Sequence, residues 1–381
     1  MSPKGDAQRT QPRRRLAKTG KKRRAGKEGA AKAVAKKYAS SIDVARLAGV
    51  SQSAVSRTFT VGASVSPQTR KKVLKAAAAL GYQPSMIPRI MLTHRSSLIA
   101  IAIGGMYNPY YAGVVELFTR EIQKKGNSVL LFGVDHNESI DEVVPVILGY
   151  RVDGLISALS ILSPEAAESC AKQNVPVVLL NGKVRNDWVS SVCCDNVAGG
   201  RAVASLFIAR GARHFAFIAG KPDNLANEDR LAGYFGRLVE AGVRDLSMAY
   251  GGYRYEGGYK ACRELMAASP RPDAIFCAND LMAIGAMEAI RSELSFRVPE
   301  DVMIAGFDDI PAAAWPSIAL TTVRQEATRM VQESLQLLER KIAGQTLAGG
   351  ALRLVPGTLM ERSTTARRPG SIPCSKVGHR S

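Results

Sequence analysis

Residues 40–91 read SSIDVARLAGVSQSAVSRTFTVGASVSPQTRKKVLKAAAALGYQPSMIPRIM. The punctuation is that of a helix-turn-helix and then a third helix. A first helix is expected from Ile42 to Ala48, with Gly49 as the turn residue and Val50 packed beneath the second helix. Ser51 is a good N-cap for that second helix, which ends near Phe59, and Ser66-Pro67 opens a third that Gly81 ends. On this reading Ala45, Leu47, Val50, Val55 and Phe59 form a small core. Gln52, Ser53, Ser56 and Arg57 are left on the outward face of the second helix. Two helices across a tight glycine turn place the second one in a DNA major groove. Gln52 and Ser53 stand at its N-terminal end, where base edges are reached. Arg57, one turn later, can meet a guanine or a phosphate. The third helix carries Arg70, Lys71, Lys72 and Lys75, read mainly as a solvated scaffold face.

The charge distribution points the same way. The 381-residue chain has a formal net charge of +19, and residues 1–39 hold fourteen Lys and Arg against Asp6 and Glu28. Residues 40–92 hold seven against Asp43, so the remainder is close to neutral. A basic end on a neutral body suggests a polyanion partner. The tail has almost nothing to bury, so it is expected to be disordered when free and to touch DNA nonspecifically.

Six cysteines, Cys170, Cys193, Cys194, Cys262, Cys277 and Cys374, include no CxxC pair, and no histidine stands at metal-ligand spacing to them. No metal and no cofactor are expected. No apolar run approaches the ~20 residues of a membrane span, and the basic N-terminus does not lead into an apolar stretch as in a secretory signal. No membrane partner is expected, and the chain is read as cytoplasmic. The sequence has no P-loop, GxGxxG, HExxH or GxSxG motif, and His94, His136, His214 and His379 are scattered, which argues against an enzyme.

From Leu98 the pattern changes. Apolar runs at 98–103, 128–133, 153–157, 176–180, 214–219, 273–278 and 302–307 alternate with helical stretches such as 110–125, 197–210, 229–241, 255–268 and 280–292. Continuous apolar strands between helices imply parallel sheets covered on both faces. The unit recurs too often for one compact sheet, so two lobes with a ligand cleft between them are expected.

The motifs DVARLAGVSQSAVSR and VSPQTRKKVLKAAAALGYQP, with NPYY at 108–111, CDNVAGGR at 194–201, DRLAGY at 229–234, FCANDLMAIGAMEAI at 276–290, GFDDIP from 306 and LTTVRQ ending at 325, resemble the lactose-repressor (LacI/GalR) family. The resemblance covers roughly Ser40 to Thr364. It implies an α/β fold, with an all-α helix-turn-helix headpiece and a two-lobed, periplasmic-binding-protein-like core of parallel sheets. The chain then divides into a basic tail (1–39), the headpiece (40–83), a hinge helix and linker (84–97), the effector-binding and dimerisation core (98–365) and a C-terminal tail (366–381). The implied partners are double-stranded DNA carrying a palindromic operator, a small effector (a sugar or sugar acid), and further copies of the chain in a homodimer or tetramer. Two departures stand out: Ser40-Ser41-Ile42-Asp43 displaces the usual apolar residue by one, and Thr60 replaces an asparagine.

The resemblance also assigns residues. Thr60 and Ser64, after the second helix, complete the candidate DNA contacts. In the hinge, Met91 matches the position that wedges into the minor groove. Ser85 as N-cap would put Pro88 at N3, where its missing N–H has no intrahelical partner. Effector positions fall on Tyr110, Tyr111, Asn181, Cys194, Asp195, Arg230, Tyr253, Asn279 and Asp308. Aromatic faces stack on sugar rings while Asp, Asn and Arg bond hydroxyls, and Arg230 could equally receive a carboxylate or phosphate. The expected function is an effector-controlled transcription regulator, a repressor. The alternative is a nucleoid-associated DNA-binding protein with a vestigial ligand domain.

Overall fold

The computed structural model describes residues 38–60, 62–84, 95–134, 140–159, 162–182, 188–222, 224–345 and 350–366. Most of the basic tail, hinge residues 85–94 with Met91, and the chain from residue 367 on lie outside the described residues. The chain divides into two compact units between Ser85 and Met86.

The first unit is built by its caps. Helix α1 (Ser41–Ala48) opens on a reciprocal box, in which Asp43 N donates to Ser40 Oγ at 3.3 Å and Ser40 N donates to Asp43 Oδ2 at 2.9 Å. Gly49 takes φ 64°, a left-handed turn that closes α1. Ser51 caps α2 (Gln52–Phe59), and Ser66 caps α3 (Pro67–Leu80). Val44, Ala45, Val55, Val73, Ala76 and Ala77 form the core, with Val50 and Phe59 packed at its margin. Leu47 does not join it and is 56% exposed. The buried stripe of α1 is centred on Val44, Ala45 and Ala48, and at about 100° per residue Leu47 falls on its flank. Arg70 Nη1 donates to the Thr58 carbonyl at 3.0 Å and so ties α3 to α2.

The second unit holds two six-stranded sheets. Strands β1 (Leu98–Ile103), β2 (Ser128–Gly133), β3 (Gly154–Ser157), β4 (Val177–Leu180) and β5 (Val189–Cys194) belong to the first. They alternate with α4 (Pro109–Lys124), α5 (Ile140–Gly149) and α6 (Pro164–Lys172). The chain then passes into the second lobe with α7 (Asn196–Ala209), β6 (Phe215–Ala219), α8 (Leu225–Glu240), β7 (Ser247–Tyr250), α9 (Tyr255–Met266), β8 (Ala274–Cys277), α10 (Asp280–Glu288), β9 (Met303–Asp308) and β10 (Thr321–Arg324). It returns to the first lobe for α11 (Ala327–Ile342) and β11 (Leu352–Val355), and crosses back for β12 (Thr358–Met360). The strand orders are β11-β5-β4-β3-β1-β2 and β12-β10-β9-β8-β6-β7, all parallel except the β10–β12 pair. All seven apolar runs are strands. The five others lack that signature: β5 carries two buried serines, β7 and β11 are half-exposed edges, and β10 and β12 are short.

The three crossings run side by side. Asp195 N donates to Val355 O at 2.9 Å, and a Cβ on Gly357 would stand 3.3 Å from Cys194 Sγ and 3.2 Å from Arg324 O. Helices α7 and α8 meet backbone to backbone. A Cβ on Gly233 would fall 2.0 Å from Val197 O, and one on Gly200 would fall 2.2 Å from Arg230 O. This contact fixes where α8 delivers Arg230. Gly233→Ala is therefore expected to lower stability by about 1–3 kcal/mol through overpacking. The check is a denaturant titration: the midpoint should fall with an unchanged m-value, and an unmoved midpoint would show that the helices separate freely.

Candidate functional site

Two surfaces carry the candidate residues. On the first unit, Ala54, Val55 and Thr58 turn inward, which leaves Gln52, Ser53, Ser56 and Arg57 exposed along the other face of α2. Thr60 and Ser64 are exposed beyond its end. The face is partly organised by its own hydrogen bonds. Gln52 Nε2 donates to Ser41 Oγ at 3.0 Å, Ser53 and Ser51 share a hydroxyl contact at 2.9 Å, and Thr60 Oγ1 donates to Ser56 O at 3.0 Å. Arg57 Nε reaches Ser53 O at 3.4 Å, so its guanidinium lies back along the helix.

On the second unit, a cavity of about 190 Å³ opens between the lobes, at the carboxyl ends of the strands. From the first lobe come Gly104, Gly105, Tyr107, Asn108 and Tyr111 after β1, with Val134 after β2 and Leu159 after β3. From the second come Lys221 and Asn224 after β6, Arg230 on α8, Tyr253 after β7, Asn279 after β8 and Asp308 ending β9. Of the nine sequence-derived positions, the structure brings Tyr111, Arg230, Tyr253, Asn279 and Asp308 to this wall. The other four stand elsewhere. Tyr110 is buried behind it, Asn181 and Cys194 lie at the lobe crossing, and Asp195 caps α7 by accepting from Ala198 N at 3.0 Å.

Asp308 is the centre of the arrangement. It holds φ 123°, a strained value for a side-chain-bearing residue. Its Oδ1 accepts from Gln325 Nε2 at 2.7 Å and its Oδ2 from Asn108 Nδ2 at 3.0 Å. Gln325 Oε1 in turn accepts from Tyr110 OH at 3.1 Å and Asn181 Nδ2 at 3.0 Å. Asn108, Tyr110 and Asn181 belong to the first lobe, Asp308 to the second, and Gln325 to the crossing between them. Tyr110 and Asn181 thus act on the lobe contact, although neither lines the cavity.

Arg230 is 4% exposed. Its Nε donates to Asn196 Oδ1 at 2.9 Å, its Nη1 to the Ala278 carbonyl, and its guanidinium lies 3.7 Å from the Phe307 ring centroid. Its Nη2 stands 3.9 Å from Asp308 Oδ1, too far for a hydrogen bond. Asn279 caps α10 through Met282 N at 3.0 Å and donates to Tyr253 O at 3.2 Å. Asp280 does not cap. It is wholly buried, accepting from Thr322 Oγ1 and from Ile310 N at 2.8 Å.

Burial raises the Asp308 carboxyl above its ordinary range, with Arg230 and the two amides opposing. It raises Asp280 further, helped by the charge of Asp308. Burial, then Asp308, pushes the Tyr111 phenol up to about 12, and burial holds the Cys194 thiol at about 12. Asn108, Lys221, Asn224 and Gln325 are not among the nine sequence-derived positions. Asn108 and Gln325 lie inside the motifs NPYY and LTTVRQ, where a cap-like Asn-Pro pair was the one local signal.

Residues 42–85 match the family model of bacterial regulatory proteins, lacI family, and residues 204–365 match the periplasmic binding protein-like domain. The HTH-type transcriptional repressor PurR of Erwinia tasmaniensis is 31% identical over 333 residues, covering 86% of this chain and 97% of the relative. The HTH-type transcriptional regulator CelR of Thermobifida fusca is 33% identical over 317 residues, covering 80% and 92%. Among solved structures, a lac repressor dimer bound to operator and the anti-inducer ONPF is 29% identical with TM-score 0.76, covering 86% of this chain and 99% of that one. A CelR–cellobiose complex is 31% identical with TM-score 0.64 at the same coverage.

Two variants probe the buried network. Gln325→Leu strands Asp308 Oδ1 and Asn181 Nδ2 and leaves Tyr110 OH only the Met330 sulfur at 3.8 Å, and is expected to cost on the order of 2–4 kcal/mol. Urea unfolding measures it, and a loss below the scatter of surface mutants would show that water replaces the bridge. The Asp280 carboxyl is raised above 3.8, so its contribution to stability is complete below that value and is lost as pH rises through the raised one. Asp280→Asn removes that loss. The unfolding free energy of variant minus wild type should therefore climb as pH rises above the ordinary carboxylate range, and a flat difference contradicts the assignment.

Proposed function

Because the chain belongs to the LacI family of bacterial regulatory proteins, we propose that it is a sequence-specific transcriptional repressor controlled by a small metabolite. On this reading it grips a palindromic operator through α2, and a sugar or sugar acid held between the lobes sets the strength of that grip. The observation that carries it is the sidedness of α2: Ala54, Val55 and Thr58 are buried in its own three-helix unit, and Gln52, Ser53, Ser56 and Arg57 are exposed on the other side. A helix of this kind, supported from behind and polar in front, suits a major groove. The relatives are regulators, and the operator-bound dimer and the cellobiose complex among the similar structures support both partners. A homodimer is part of the proposal. Edge strands β2 and β7 leave Leu131 44%, Met248 38% and Tyr250 64% exposed, an apolar margin that a second copy would cover.

Gln52 reads a base edge with its amide, Arg57 a base or phosphate, and Ser53, Ser56, Thr60 and Ser64 position the helix on the backbone. The test begins with selection of a preferred duplex from a random pool by the full-length protein, and gel shifts at fixed salt then compare duplexes. The selected site should bind at least about a thousand-fold tighter than scrambled DNA. Gln52→Ala should cost about 1–3 kcal/mol on that site and little on scrambled DNA. Equal affinity for all duplexes would instead favour a packaging protein.

A further inference from the structure

The start of α1 departs from the family pattern, and the departure reaches the exposed face of α2. Ser41 stands where an apolar residue is usual, and the displaced Ile42 is 51% exposed. The reciprocal box between Ser40 and Asp43 fixes the backbone on either side of Ser41, with Ser40 N on Asp43 Oδ2 at 2.9 Å. Ser41 Oγ accepts from Gln52 Nε2 at 3.0 Å, across the turn from α1 to α2. The same side chain is hydrogen-bonded to the Tyr82 phenol, just beyond α3. Tyr82 is anchored in turn. Its N donates to Ala77 O at 2.8 Å, and its ring stands 5.7 Å from that of Phe59 at the margin of the core.

The three side chains form a relay. A serine hydroxyl has a single proton to donate. While the Ser41 oxygen accepts from Gln52, that proton goes to the Tyr82 oxygen. A flipped Gln52 amide would set Oε1 against Ser41 Oγ, whose proton is already spent, so the relay selects one orientation of the amide. In that orientation Nε2 spends one N–H and keeps another, and Oε1 takes no donor among the described residues. Gln52 is exposed at the N-terminal end of α2. A donor and an acceptor on one amide complement adenine, whose major-groove edge offers N7 as acceptor and N6–H as donor. Guanine offers two acceptors there and would leave Oε1 facing an oxygen. A glutamine held beforehand also has less rotamer freedom to lose on binding.

We propose that Ser41 is a positioning residue for sequence reading: it holds the Gln52 amide so that one N–H and Oε1 together meet an adenine in the major groove. This rests on the reading of α2 as the helix that enters the groove, and it adds the base that Gln52 selects and the side chain that makes it selective. Ser41 itself need not touch DNA.

The experiment takes the duplex that the full-length protein selects from a random pool, substitutes each base pair in turn, and compares affinities by gel shift at fixed salt. The position at which Gln52→Ala erases discrimination should carry adenine, and guanine there should weaken wild-type binding about tenfold or more. Ser41→Ala should shrink that ratio by about threefold or more. It should leave the ratios at other positions, the affinity for scrambled DNA and the melting temperature unchanged, and Ser41→Thr should restore the wild-type ratio. In a Gln52→Ala background, Ser41→Ala should change nothing further, which a merely structural role would not produce. The adenine-to-guanine comparison needs no variant of Ser41, so misfolding cannot obscure it. A base other than adenine at the Gln52-dependent position overturns the proposal. So does full discrimination in Ser41→Ala, or a loss spread evenly over all duplexes. Each of these leaves a regulator with a preferred site standing. A protein with no preferred duplex overturns both readings.

Discussion

The carboxylate of Asp308 ends β9 at the floor of the cleft, and a charge buried there must be partnered. Its partners come from both sides: Gln325 at 2.7 Å from the crossing between lobes, and Asn108 at 3.0 Å from the first lobe. Gln325 is itself held by Tyr110 and Asn181 of the first lobe. The lobes therefore cannot part without stranding a buried carboxylate, an amide and a phenol. Stranding such groups costs more than forming their hydrogen bonds gains.

The crossings supply the freedom that this joint restrains. The segments after β5, β10 and β11 lie together, with Asp195 N on Val355 O at 2.9 Å. The Asp308 network ties the two lobes together beside these crossings. The surrounding charge is balanced locally. Asp309 is bonded by Arg324 and Arg362, each at 2.7 Å, and Asp280 takes donors from Thr322 and Ile310. Three acidic groups can be buried within one corner only because each has its own donors.

Much of this was legible in the sequence where the physics is local. Ser51 and Ser66 announced helix starts and Gly49 and Gly81 helix ends, since caps depend on neighbours three residues away, whereas the Ser40 cap was not read from the sequence. The buried strands were legible as apolar runs because both faces are covered. Leu47 was not, because a short amphipathic helix leaves its stripe open by one position until a third helix chooses. Cys194 and Asp195 lie close to the cleft in sequence and at the crossing in space, a distinction that only the lobe topology makes. Gln325 had no local signal at all. It is a glutamine after a short strand, and its importance comes from partners 17, 144 and 215 residues away.

Arg230 connects the two themes. Its Nε and Nη1 are bonded to Asn196 and Ala278, and its guanidinium stands 3.7 Å from the Phe307 ring centroid, so its position is held from three sides. What remains is Nη2, which stands 3.9 Å from Asp308 Oδ1 on a side chain that lines the cavity. One rigid group thus presents its charge both to whatever fills the cleft and to the carboxylate that joins the lobes. A ligand shifts a two-state protein only by as much as its affinity differs between the states. An acceptor placed against Nη2 changes the field at Asp308 directly, and Asp308 is bonded in full only when the lobes are apposed. On the proposed reading of the cleft as an effector site, ligand and lobe contact meet at this one side chain.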